Sequence, residues 1–287
     1  MPAQLNMPAT VAFVVLTFIL SWLLWLAAAV TLGWEISPQS PRMAIGAPIY
    51  LLGVWAPAIV GVALTARAEG KPGVSALLRR MITAPVEGRL FFFALGYFVA
   101  IRFAAALLYR VSSGEWPAFT QELWFLMLLA GVFLSPMQAG EEVGWRGFLL
   151  PRLSARFGLP AASLIVGVIW AVWHLPFFFV AGADKSGQPF APYALSVIGM
   201  SVAMAWLYWR TEGSLLMTML LHSAINNMNP IVTPAMTSTG VFALRAPFVT
   251  WATTALLWIC ALFFLLAMRG QRDVRRQRPA LADQMPR

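Results

Sequence analysis

The sequence holds two histidines, His174 and His222, and both lie inside apolar runs. Of its eleven carboxylates, only Glu141 and Glu142 fall well within an apolar stretch, because Phe148-Leu149-Leu150 continues the hydrophobic pattern beyond them. Arg146 follows Glu142 at i+4, and Asn226 follows His222 at i+4, so each pair shares a helix face. Ionisable groups at membrane depth are costly unless paired or useful, which makes this set a functional-site hypothesis by default. A lone histidine on an apolar face is most often a satisfied core residue. Independent packing roles seldom place the entire histidine content beside the only two deep carboxylates.

Glu, His, His and Asn, with no Ser–His–Asp order and no reactive cysteine, suit water activation over a covalent nucleophile. A glutamate in a dry pocket can act as general base near neutrality, with a histidine assisting proton traffic. The second histidine and an amide are suitable donors to an oxyanion developing on an attacked carbonyl. Glu141, His174 and His222 could also hold a divalent metal such as zinc, since two histidines and a carboxylate make a catalytic site with an open position. The contiguous His-Glu-x-x-His signature is absent, and metal-assisted and metal-free chemistry both stay open.

Elements that could position such groups follow from composition. The chain has 287 residues, 60% hydrophobic and 11% charged, against about 25% charged in a soluble domain. An all-α, polytopic transmembrane bundle is expected. Apolar runs long enough to span fall near 10–32, 48–66, 90–108, 123–150, 160–180, 191–209, 215–231 and 247–268, which makes about eight helices. With no repeat of 20–50 residues, residues 1–268 read as one transmembrane catalytic domain with its motif core at 138–230, followed by a basic cytoplasmic tail at 269–287. Lys and Arg number 15 on the side of the N-terminus and 4 on the other, which predicts both termini in the cytoplasm, at a bacterial inner membrane. The net charge of +9 therefore serves topology and lipid contact, and nucleic acid is not an expected partner. The first run lacks a basic n-region and is too long for a cleavable signal peptide, so it reads as a retained span. Val74–Ile82 could form a short interfacial helix.

A hairpin turn at Phe157-Gly158-Leu159-Pro160 would bring two of these spans together, Gly closing one helix and Pro opening the next. Glu142 and His174 each lie 16 residues from Gly158, so two helices of equal rise would hold them at one depth.

Glu141-Glu142-x-x-x-Arg146, Trp170-Ala171-Val172-Trp173-His174 and His222-Ser223-Ala224-Ile225-Asn226 resemble the three ordered motifs of the CPBP family. That family comprises the CAAX prenyl endopeptidases and the bacterial Abi proteins of bacteriocin processing and self-immunity. Any one motif is weak, and the ordered set over about 90 residues is specific. The one departure is Trp170, where many members have Phe. The resemblance implies an intramembrane endopeptidase of eight or so helices with a cavity open to the cytosol. It would make Glu141 the general base, His174 its partner on the water, and His222 with Asn226 the oxyanion donors, with Glu142 and Arg146 a supporting pair. The family is described both as metalloproteases and as glutamate-type proteases.

Substrate is then a membrane-associated or lipid-modified peptide or protein. Two other readings compete: a non-catalytic immunity or scaffold member of the family, and a secondary transporter using the same groups for proton coupling. Arg102, inside the third span, is expected to snorkel or to meet a structural partner, with a hold on a substrate carboxyl terminus as the alternative. Pro136 is expected to kink the fourth span just before the carboxylates. Gly140, Gly144 and Gly147 read as close-packing positions. Cys260 reads as a small buried apolar residue.

Overall fold

The computed structural model describes residues 7–84, 87–232 and 240–269. The tail after Arg269, with its expected lipid contact, lies outside them. Among the described residues all regular structure is helical, apart from isolated bridges between Glu35 and Ala181 and between Phe119 and Val232. An all-helical bundle is what the composition demands, because backbone N–H and C=O groups in hydrocarbon must find partners within their own segment.

The first helix, α1 (Met7–Leu32), lies along α2 (Met43–Arg79). Ser21 Oγ donates to Gly53 O (2.9 Å) and Trp25 Nε1 to Tyr50 O (3.2 Å) across that pair. α2 runs past the expected span and breaks at Gly70 (φ 65°, ψ −163°), a conformation essentially closed to residues with a Cβ. Pro72 opens the second limb, where a missing N–H costs nothing. The helix expected at Val74–Ile82 overlaps this limb, which begins a few residues earlier and ends at Arg79. α3 (Arg89–Ser113) follows and stops at Gly114 in the left-handed region (φ 81°).

The fourth expected span, 123–150, is not one helix. It is α4 (Trp124–Phe133), a 3₁₀ turn at Ser135–Gln138 around Pro136, α5 (Ala139–Glu142), a π-helix at Val143–Leu149, and α6 (Leu150–Phe157). Gly158 (φ 78°) makes the predicted hairpin turn into α7 (Leu159–Trp173). α7 ends short of the expected boundary because Pro176 cannot return a bond to Val172, and a 3₁₀ turn takes over at Leu175–Phe178. Next come α8 (Phe190–Arg210), α9 (Leu215–Met228) and α10 (Phe248–Arg269). Among the described residues five helices, α1, α2, α3, α8 and α10, are long and apolar enough to cross a membrane, and shorter helices fill the remaining expected spans of the bundle. The three others are shortened by Pro136, Pro176 and Asn229-Pro230, each of which interrupts backbone hydrogen bonding.

α9 is the central helix. Apart from Leu216, every residue from Leu215 to Ile225 is buried, as expected of a helix apolar nearly all round and enclosed by its neighbours. The π-helical segment presses on α2 through glycine. A Cβ at Gly144 would stand 2.5 Å from both Pro57 Cβ and Pro57 O. Gly144→Ala is accordingly expected to cost about 3 kcal/mol of stability, because the obstructing atoms include backbone. Gly96→Ala, which meets open space, should leave the thermal midpoint in detergent unchanged. Equal midpoints for the two variants would contradict the close approach.

Arg102 is buried in α3, donating from Nη1 to Thr253 Oγ1 of α10 (3.1 Å) and from Nη2 to Val232 O. It ties α10 and the segment after α9 to α3. Its contacts are those of a structural partner.

Candidate active site

Four elements supply the site. α5 and the π-helix after it carry Glu141, Glu142 and Arg146, α7 carries Trp170 with His174 on its C-cap, and α9 carries His222 and Asn226. Glu142 and Arg146 are fully buried and make the expected i,i+4 pair, Nη1 to Oε1 at 2.8 Å. Removing both from water is affordable only with such partners. Arg146 also lies with its guanidinium carbon 4.4 Å from the centre of the Trp170 ring, a cation–π contact that the dry surroundings strengthen.

Glu142 Oε1 is shared. His222 Nδ1 lies 2.8 Å from it, and since a carboxylate oxygen accepts, Nδ1–H donates. That bond orients the ring and turns Nε2 toward Glu141, whose Oε1 is 4.0 Å away. Glu141 Oε2 accepts from Trp170 Nε1 at 2.6 Å, and the rings of Trp170 and His222 meet edge to face at 5.1 Å. Trp170 thus touches Glu141, Arg146 and His222 at once.

His174 stands one turn further along. Its Nδ1–H donates to Trp170 O (2.8 Å), which leaves Nε2 as the acceptor of a neutral ring. Trp173, Phe177 and Tyr193 surround it at centroid distances of 4.8, 6.0 and 5.7 Å. Asn226, one turn beyond His222, is exposed at the rim, where its Nδ2 donates to Gln138 Oε1 (3.3 Å). Glu141, Glu142, Arg146 and His222 therefore form one contact network, while His174 and Asn226 adjoin it at either side.

Glu142 and His174 do not meet across the Gly158 turn. A π-helix winds more residues into each turn than an α-helix and so advances less per residue. With Val143–Leu149 wound this way, Glu141 meets Trp170, not the histidine one turn above. The role of Trp170 was missed for a related reason. Read as one aromatic in place of another, it hides what sets it apart from Phe: the indole N–H. Gln138 carried no signal beyond its place at the start of the motif.

The donor set does not fit a three-ligand metal site. Among the described residues no three His, Cys, Asp or Glu side chains gather for an ion. His222 Nε2 faces Glu141 Oε1 at 4.0 Å, a pair of donors backed by Glu142 and Trp170, but His174, bonded to Trp170 O, does not join them.

Comparison with known proteins adds to this geometry. A family model described as type II CAAX prenyl endopeptidase Rce1-like matches residues 120–228, which contain every candidate residue named above. A curated relative, CAAX prenyl protease 2 of Methanococcus maripaludis, is 26% identical over 228 residues, covering 73% of this chain and 80% of the relative. Over residues 120–228 the chain is similar to this family of CAAX prenyl endopeptidases, in agreement with the CPBP resemblance of its motifs. As in the family motif, the paired carboxylates, the aromatic-x-x-x-His and the His-x-x-x-Asn fall in order on successive elements.

In this chain the motif aromatic, Trp170, has a polar contact to lose. Trp170→Phe keeps the ring and deletes the N–H that Glu141 accepts. Loss of a hydrogen bond to a charged group is worth roughly tenfold or more in rate. The expected result is that fall in kcat with KM near wild type, alongside a modest drop in thermal midpoint from the unmet carboxylate oxygen. A rate equal to wild type would leave the N–H without a part in catalysis.

Proposed function

We propose that this chain is an intramembrane endopeptidase of the CPBP family that hydrolyses a peptide bond using water activated at Glu141. Its substrate is a peptide or protein held in, or anchored by lipid to, the membrane. Glu141 takes a proton from water as the oxygen attacks the scissile carbonyl carbon, and later delivers that proton to the departing amine as the C–N bond breaks. Trp170 holds one carboxylate oxygen, leaving Oε1 for the water. The Nε2 lone pair of His174 accepts the water's second hydrogen and so orients the attack. His222, held by Glu142, and Asn226, held by Gln138, are the donors to the tetrahedral oxyanion. Because Nδ1–H of His222 is bound to Glu142, the Nε2 side of the ring is the one that serves the oxyanion.

The observation that carries this reading is the network itself: two carboxylates, an arginine, a tryptophan and a histidine from four elements meet where the bundle excludes water. Residues 1–268 act as the catalytic unit, with both termini and the basic tail on the cytoplasmic side, in agreement with the Lys and Arg asymmetry.

A library of membrane-anchored peptides, prenylated and unmodified, incubated with the purified chain in nanodiscs and read by mass spectrometry, is the direct test. Defined cleavage is expected from the wild type and none from His174→Ala or His222→Ala. Undiminished turnover in both variants would remove the peptidase mechanism. A proton flux that both variants abolish, with no peptide cut by the wild type, would make the chain a transporter.

A further inference from the structure

The break in α2 creates a feature unrelated to the buried network. Where the limb after Gly70 turns away from the transmembrane part, a groove of about 800 Å³ opens, lined by Ala66, Gly70, Lys71, Val74, Leu78 and Ile82, with Ser75 and Arg79 beside them. Its walls are mostly apolar, and Ile82, 80% exposed, stands at one end. Lys71 and Arg79 are exposed cations with no ion pair among the described residues, and neither has Arg67 on the adjacent turn. The nearby carboxylate, Glu69, is taken by Arg152 at 2.8 Å. An apolar slot rimmed by unneutralised cations, at the end of a membrane-crossing helix, matches a molecule with a hydrocarbon chain and an anionic head.

The groove is preformed because the other face of the limb is fixed. Leu77 packs with Val143, Leu215 and Met219, and against Gly147. The Arg80 carbonyl accepts from Leu215 N (2.9 Å) and Leu216 N (3.2 Å), Arg80 Nη1 donates to Tyr208 OH (2.8 Å), and Ser214 Oγ donates to Thr83 O (2.5 Å). Such anchoring spares a ligand the cost of ordering the limb.

We infer that this groove is a binding site for one anionic phospholipid of the leaflet on the Lys- and Arg-rich face, its phosphate between Lys71 and Arg79 and an acyl chain along Val74, Leu78 and Ile82. The charges supply selectivity over zwitterionic lipid and the apolar wall supplies affinity.

Native mass spectrometry of the full chain in detergent, titrated with phosphatidylglycerol or with phosphatidylcholine of the same acyl chains, tests this. The wild type is expected to retain one phosphatidylglycerol in preference to phosphatidylcholine. Lys71→Gln/Arg79→Gln should lower phosphatidylglycerol affinity roughly 30-fold while sparing phosphatidylcholine. Val74→Trp, which fills the groove and keeps both charges, should expel the lipid as well. Arg110→Gln, at the far end of α3, should change nothing. No preference in the wild type, or the same preference in either groove variant, overturns the site. The readout is lipid retention and is independent of peptide cleavage, so it stands or falls apart from the proposed function.

Discussion

Glu141→Gln is expected to fold as the wild type does and to lose peptide cleavage by about a thousandfold, within the range that general-base removal costs. The amide matches the carboxylate in volume, and its oxygen can still accept from Trp170 Nε1, so packing around the site is kept. What disappears is the capacity to take a proton from water. Helix content and thermal midpoint should match the wild type, and single-turnover cleavage of a membrane-anchored substrate reads the loss. A variant that keeps more than about a tenth of the wild-type rate would exclude Glu141 as the base.

Arg146→Met should fail for a different reason. It removes the cation from a fully buried pair and leaves Glu142 among apolar neighbours with only His222 beside it. Breaking a buried pair from one side costs about 3–5 kcal/mol, whereas replacing both partners by apolar groups of similar volume is often neutral or better. The double variant Glu142→Leu/Arg146→Met should therefore recover most of the lost stability, measured as the thermal midpoint in detergent. It should remain inactive, because His222 has then lost the acceptor that orients Nδ1. Equal stability in the single and double variants would mean that the pair carries no coupling. Recovery of cleavage in the double variant would mean that Glu142 does not position His222.

The same contacts separate what local pattern can show from what it cannot. The Glu142–Arg146 pair and the Gly158 turn were legible because each depends on residues a few positions apart, where helix geometry fixes the outcome. The close approach at Gly144 was legible in kind, since small residues in membrane helices mark packing, but its partner Pro57 was not. Whether Glu141, His174 and His222 converge is a question about three elements at once, which local spacing cannot answer. The rotation and rise of the π-helix place Glu141 against Trp170.

Composition and spacing thus determined that this chain is a membrane bundle, which side chains are submerged in it, and which of them belong together on single helices. Those features follow from solvent preference and from the 3.6-residue period, and both act locally. Only the tertiary structure decided that Glu142 links Arg146 to His222, that an indole N–H holds Glu141, and that α2 bends to leave a basic groove. Each of those depends on the relative rotation and depth of segments far apart in the chain, set by interruptions at Pro136, Gly70 and the π-helix whose effect no local period records.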